Sequence, residues 1–385
     1  MEPFIDVAAV DLPALLADLE SLVRCESPSA DLAAVSRSAD LVARIGTERL
    51  GFPPERLLID GCSHLRWRFG AGPRRVLLLA HHDTVWPLGS LERHPWSNKA
   101  GVVTGPGCFD MKAGLVMTWH ALASLSSTDP ASGAQSSPAL DGVTLLVTGD
   151  EEVGSTTSRG LIENEARGCA AVFVLEASGP GGAVKTSRKG VSRYRLQITG
   201  RAAHAGLEPE KGVNAGVELA HQTLAIAAMA GGAGTTVTPT ASAAGSAANT
   251  VPATAVLDID CRVWTVAEQD RVHRELTALQ PVLPGSSISM EGGPNRPPME
   301  KDVAQSLFVL AQEVASSLGL AELTQLAVGG ASDGNFTAGI GVPTLDGLGA
   351  VGGGAHADDE HLLVSELIPR TSLLAGLIQR VLAGS

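Results

Sequence analysis

Several short, largely apolar runs in this chain lead into an acid or a histidine. Val76-Leu77-Leu78-Leu79-Ala80 meets His81-His82-Asp83, and Val143 to Val147 meets Thr148-Gly149-Asp150-Glu151-Glu152. Val172 to Leu175 ends on Glu176. Runs of this length with no more than a single threonine among the apolar residues read as strands covered on both faces, which is the habit of parallel sheets. Side-by-side carboxylates at the end of a buried strand are costly unless something cationic meets them. Asp110, in Phe109-Asp110-Met111-Lys112, and His356, in Gly354-Ala355-His356, add suitable partners. A scattered His/Asp/Glu set delivered by strand ends is the usual construction of a metal site in an open α/β sheet.

Helical periodicity separates the runs. It predicts helices over 12–24, 32–50, 111–125 and 158–166, and further strands over 65–69 and 171–175. Segment 126–142 is rich in Ser, Ala, Pro and Asp and predicts a surface loop. This alternation predicts βαβ units and a mostly parallel sheet. After Glu176 the texture changes. Val191 to Thr199 alternates, with Tyr194, Leu196 and Ile198 on one face and Arg193, Arg195 and Gln197 on the other. A helix is expected over 214–229, a β-prone Thr/Val stretch within the small-residue tract 230–248, an alternating strand over 253–263 and a helix over 265–279. Pro294, Pro297 and Pro298 mark a return to α/β character, with helices over 303–318 and 367–382. The expected architecture is therefore α/β: a catalytic domain over 1–181 and 295–385, with a smaller α+β domain inserted over 182–294. A chain of 385 residues favours two domains in any case.

The net charge of −13 argues against nucleic acid and anionic membranes as partners. Aromatic residues make up 3%, so the core must be built from Ala, Val, Leu and Ile. No apolar stretch reaches membrane-spanning length. Met1 to Asp6 lacks a basic segment followed by an apolar one, so no signal peptide is expected. Five widely spaced cysteines (Cys25, Cys62, Cys108, Cys169 and Cys261) fit reduced thiols in the cytoplasm. Cys108 has no second cysteine nearby and reads as a small buried hydrophobe. His82 reads as structural, and His94, His120, His221 and His273 as ordinary surface or helix histidines. Gly347-Leu348-Gly349-Ala350-Val351-Gly352 matches a dinucleotide fingerprint formally. More glycine and an acidic run follow it in place of a periodic helix, which argues against nucleotide binding.

Taken in order, His81-His82-Asp83-Thr84, Gly105-Pro106-Gly107 through Asp110-Met111-Lys112-Ala113-Gly114, Asp150-Glu151-Glu152-Val153-Gly154-Ser155, Glu176 and Gly354-Ala355-His356 resemble the signature of M20 metallopeptidases. These are the co-catalytic zinc peptidases and deacylases of the carboxypeptidase G type. Gly200-Arg201-Ala202-Ala203-His204-Ala205-Gly206 resembles the motif of that family's inserted lid domain.

The resemblance implies a mostly parallel-sheet zinc-peptidase domain with a lid that forms a homodimer. It implies two Zn²⁺ per chain, with Co²⁺ or Mn²⁺ suited to the same ligands. By resemblance His81 and Glu176 hold one ion, Glu152 and His356 the other, and Asp110 bridges them. Glu151 diverges from Glu152 and is left as general base. Asp83, two residues beyond His81, would fix that ring. His204 would hydrogen-bond the oxyanion, from the partner subunit. Asn249 and Arg262 match substrate-contacting positions, and Arg262 suits a carboxylate. The loop holding Gly330 and Ser332 resembles a substrate-binding loop. A cis Asp110–Met111 peptide is implied as well.

Glu at position 176 goes with carboxypeptidases and desuccinylases in that family. The expected activity is hydrolysis of an amide next to a free carboxylate, as in release of a C-terminal glutamate. An N-acyl-amino-acid deacylase is the alternative. An inactive binding protein on the same fold would have lost a ligand or the base, and all six residues are present.

Overall fold

The computed structural model describes residues 10–126, 137–232 and 234–384. Most of the loop expected over 126–142 lies outside them. The chain divides into two compact units: Met1–Thr186 with Lys301–Ala327 and Ser332–Ser385, and Ser187–Glu300 with Val328–Ala331.

The first unit is built on a six-stranded sheet of β1 (Glu55–Ile59), β2 (Cys62–Arg68), β3 (Val76–His81), β4 (Val143–Thr148), β5 (Ala171–Val174) and, much later, β10 (Thr344–Leu345). Their spatial order is β1-β2-β4-β3-β5-β10. β4, β3, β5 and β10 run parallel, and β2 and β1 add an antiparallel edge. Every residue of β3, β4 and β5 is buried, which is why each reads as a nearly continuous apolar run. Helices Leu12–Arg24, Leu32–Leu50, Ala113–Leu125, Arg159–Ala166, Lys301–Ser317 and Leu367–Ala383 belong to the same unit. From β3 the chain moves to β4 on one side, then crosses to β5 on the other. The carboxyl end of β3 is thus a switch point, where an open sheet leaves a crevice.

The second unit holds a four-stranded antiparallel sheet of β6 (Gly190–Thr199), β7 (Thr236–Ala244), β8 (Thr254–Val263) and β9 (Ser287–Arg296), ordered β7-β8-β6-β9. Tyr194, Leu196 and Ile198 of β6, with Leu257 and Ile259 of β8, pack against Ile226, Val272 and Leu276 of the helices Ala215–Ala227 and Val266–Thr277. The opposite faces carry the Arg195–Asp258 ion pair and the Gln197–Glu291 hydrogen bond. This is the inward/outward alternation expected of β6.

A clear physical reason stands behind three of the departures from the sequence expectation. The β1–β2 hairpin is absent from it, although the turn residues Asp60 and Gly61 both have positive φ, 47° and 83°, the signature of a tight Asp-Gly hairpin turn. β9 contains Gly292-Gly293-Pro294, which conceals a strand. It lies at a sheet edge, where proline is tolerated, and a Cβ on Gly292 would meet the Arg193 carbonyl oxygen at 2.2 Å. The helix expected from Met111 starts at Ala113, because Cys108–Lys112 forms a separate turn. Among the described residues no helix is long and apolar enough to cross a membrane.

Candidate functional site

The carboxyl ends of the parallel strands bring the acids and histidines together. β3 ends on His81, β4 leads into the turn Glu151–Val153, and Glu176 lies two residues past β5. Asp110 comes from the Cys108–Lys112 turn, whose Asp110–Met111 peptide is cis. His356 comes from a glycine-rich turn after Gly352–Gly353 and has φ +63°. A left-handed non-glycine residue costs on the order of 1 kcal/mol and persists only where its surroundings impose it.

Two triads result, His81/Asp110/Glu176 and Asp110/Glu152/His356. Each gathers one ligand atom per residue within 4.8 Å, and Asp110 is common to both. His81 Nε2 lies 3.7 Å from Asp110 Oδ1 and 3.5 Å from Glu176 Oε1. His356 Nε2 lies 3.3 Å from Asp110 Oδ2 and 3.2 Å from Glu152 Oε1. The two oxygens of Asp110 therefore face different histidines. Tetrahedral ligands about 2.1 Å from one ion would stand about 3.4 Å apart, close to these spacings.

The hydrogen bonding points to a cation. Among the described residues, His81 Nε2 and Asp110 Oδ1 are buried with no hydrogen-bond partner. His81 Nδ1 lies 3.0 Å from the Asp83 carbonyl oxygen. With a proton on that nitrogen, the neutral ring turns an Nε2 lone pair toward the space between the acids, an arrangement suited to a metal ion. Electrostatics agree. Burial opposes charge on His81, yet Asp110, Asp83 and Glu176 raise its pKa well above the ordinary value. Asp110 and Glu152 raise that of His356 to about 10. Burial opposes ionisation of Asp110 too, and the two histidines nonetheless hold its carboxyl far below the usual range.

Asp83 does more than face His81. Its Oδ1 accepts from Glu151 N at 3.3 Å, and its Oδ2 accepts from Glu152 N at 3.2 Å and Ser29 Oγ at 2.6 Å. It thereby fixes the turn that carries both glutamates. Glu151 is buried in that turn, 7% exposed. On the far side Asp333 bonds Ser155 and Thr148.

Cys62, His64 and Asp150 form a third close group. Here the polar atoms are already used. Gly149 N donates to His64 Nδ1, His64 Nε2 meets Thr157 Oγ1, and Asp150 accepts from Thr157 and Ser158. Burial pushes the Cys62 thiol up to about 12, so it stays protonated. This group braces the turn that follows β4. His82 is buried, bonded to Ser38 and the Ser63 carbonyl, with burial lowering its pKa to about 4.

The remaining candidates belong to neither triad. In the second unit His204 is exposed, and its Nδ1 accepts from Gly206 N and Leu207 N, which leaves the proton on Nε2. Asn249 is exposed, and its carbonyl accepts from Ala205 N. Arg262 spends Nε and one Nη on Asp260, at 2.7 and 3.0 Å. The Gly330 carbonyl accepts from Arg188. Ser332, in the first unit, is fully enclosed and bonds Asp346, so it organises its loop and offers a ligand no surface. Sequence reasoning misses Glu360, whose carboxylate gathers backbone N–H groups of the Asp110 turn. Its only signal is an acid four residues after His356, within a run that reads as solvated.

Comparison with known proteins gives a consistent picture. The model of peptidase family M20/M25/M40 matches residues 77–380. The chain is 29% identical to carboxypeptidase G2 from Pseudomonas sp. (strain RS-16), over 98% of this chain and 91% of that protein. It is 27% identical to a succinyl-diaminopimelate desuccinylase from Magnetococcus marinus, over 87% and 90%. A tripeptidase from Staphylococcus aureus shares the fold with a TM-score of 0.72 at 20% identity, over 97% of this chain and all of that one.

Proposed function

The chain belongs to peptidase family M20/M25/M40, and on that premise we propose that it is a metal-dependent hydrolase cleaving an amide bond next to a free carboxylate, as a carboxypeptidase that releases a C-terminal amino acid such as glutamate. The observation that carries this reading is the pair of triads sharing Asp110, with His81 Nε2 and Asp110 Oδ1 buried and unbonded. His81, Asp110 and Glu176 would hold one divalent cation, and Asp110, Glu152 and His356 a second. The donor set suits Zn²⁺, with Co²⁺ and Mn²⁺ as competitors. Once bound, two such ions polarise the scissile carbonyl and make a water nucleophilic near neutral pH.

This chain's own residues do the rest. Glu151 takes the proton from the attacking water and delivers it to the leaving amine nitrogen. Asp83 orients the His81 ring through Nδ1 and holds Glu151 in place through its backbone N–H. His204 of the partner subunit donates from Nε2 to the carbonyl oxygen as charge develops there. Asn249 and the unused donors of Arg262 contact the substrate, Arg262 at its carboxylate. The working form is a homodimer through the second unit, where Leu207 beside His204 and Leu224 stand exposed. Five free cysteines favour the cytoplasm.

A second reading, an N-acyl-amino-acid deacylase with the same site, is favoured by the similarity to the desuccinylase. One panel tests both. Zn²⁺-loaded protein is incubated with peptidyl and N-acyl glutamate, aspartate and neutral amino acids, and with their C-terminal amides. Free amino acid should appear from the carboxylates and not from the amides. Equal turnover of the amides would sink the carboxylate requirement.

A further inference from the structure

Glu360 is nearly enclosed, 4% exposed, and both its oxygens are fully engaged. Oε1 accepts from Phe109 N at 2.9 Å and Asp110 N at 3.0 Å. Oε2 accepts from Gly107 N at 2.9 Å and Trp86 Nε1 at 2.7 Å. Three of these donors belong to the turn that ends on Asp110, so the turn is wrapped around one carboxylate. Gly107 can take part because its φ is +71° and a Cβ there would meet Thr84 Cγ2 at 2.6 Å. The same carboxylate belongs to the turn that carries His356. Ala357 N bonds the Gly354 carbonyl and Glu360 N bonds the Ala357 carbonyl, so residues 354–360 form one folded piece. One side chain thus ties the turn bearing Asp110 to the turn bearing His356, whose ligand atoms stand 3.3 Å apart.

We propose that Glu360 is a positioning residue for the metal centre, one that sets the distance between Asp110 and His356 by gripping the Asp110 turn from the His356 turn. The geometry asks for a carboxylate. Four N–H donors converge on it, and a carboxamide would turn its own N–H₂ toward two of them. Aspartate is one methylene shorter and cannot reach the Asp110 turn from the same backbone. Positioning groups behind metal ligands typically contribute about 10–100-fold in metal affinity or activity. The inference rests on the reading of Asp110 and His356 as ligands.

The test uses the full-length protein and reads Zn²⁺ affinity by competition with a chromophoric chelator, alongside thermal unfolding of the metal-free form. Glu360→Gln should weaken binding of at least one ion about 10–100-fold. Glu165→Gln, which strips a buried carboxylate of the same unit held by three arginines, should lower thermal stability and leave Zn²⁺ affinity unchanged. Glu360→Gln with wild-type affinity, whatever its stability, would overturn the proposal. If Glu360→Gln does not fold, Trp86→Phe decides. Removing one of four donors should weaken binding several-fold, and wild-type affinity in that variant would overturn the proposal as well. Asp110→Ala separates the two levels. If it too binds two Zn²⁺ normally, the reading of the site has failed. If it loses them while Glu360→Gln does not, the Glu360 inference alone has failed.

Discussion

Two sets of carboxylates in the first unit, one buried and one partly buried, are treated oppositely. Glu165, fully buried, faces Arg66 at 2.7 Å, Arg68 at 2.7 Å and Arg74 at 3.3 Å, and Asp18 is forked by Arg49 and touched by His120. Asp110 and Glu152 instead meet the imidazoles of His81 and His356. A guanidinium is always charged and cannot be displaced by a metal, whereas a neutral imidazole coordinates one. Where the carboxylate is static the fold supplies arginine. Around Asp110 it supplies groups able to coordinate a metal, and under the proposed function the positive charge comes from a bound cation. The same negative field is why both histidines have raised pKa values.

The comparison is most severely tested by Asp110→Ala. Its two oxygens face the two triads, so removing it should abolish binding of both ions and reduce hydrolysis to background. Elemental analysis showing two metals per chain in this variant would break the bridging assignment. Next in size is Glu151→Ala. It should retain both metals, because Glu151 belongs to neither triad, and lose turnover by roughly 10²–10⁴-fold. Near-normal turnover at full metal occupancy would remove Glu151 from the mechanism.

The residues of the two triads are far more legible in the amino-acid sequence than the groups that hold them. The buried strands Val76–His81 and Val143–Thr148 stand out, because burial on both faces leaves little choice of residue. His81, Glu152 and Glu176 follow from them, since a polar residue soon after such a run has to be there for a reason. Their supports do not stand out. Glu360 sits among exposed acids and Asp333 in a glycine-rich loop, and each looks solvated until the backbone N–H and hydroxyl groups it satisfies are known. The Asp110 turn is legible only through resemblance, as local propensity reads it as helix. Arg262 looks free for a ligand because its pairing with Asp260, two residues away on the same strand, is invisible to a motif. The edge strand Ser287–Arg296 is concealed by the two glycines and the proline that its position tolerates.

The static half of the comparison predicts smaller effects of a different kind. Glu165→Gln removes the charge that three arginines surround. It should cost about 3 kcal/mol of stability, toward the low end for breaking a buried pair because Arg68 and Arg74 can regain water. Denaturant unfolding measures this. A variant as stable as the wild type would mean that the cluster is neutral, and the contrast with the metal triads would lose half its force.

The smallest effect concerns Asp18, where the sign can be worked out in pH. Burial opposes its ionisation, but the hydrogen bonds from His120 and Arg49 outweigh it and hold the carboxyl below its ordinary 3.8. A depressed folded-state pKa gives stability that is present above the unfolded value and lost as pH falls through the folded one. Asp18→Asn should therefore be less stable than the wild type at neutral pH, by about 1–3 kcal/mol, the scale of hydrogen bonds to a charged group. Arg49 is 31% exposed, which keeps the figure below that of a fully enclosed pair. As pH falls below about 3.8 the unfolded chain takes up the proton first, and at still lower pH the native carboxyl does too and comes to resemble the amide, so the two unfolding curves should converge. Metal content should be the same in both at neutral pH, because Asp18 belongs to neither triad. A stability gap that persisted or widened on acidification would show that the carboxylate is not what stabilises this site. The role of arginine as the static counter-charge would then rest on Glu165 alone.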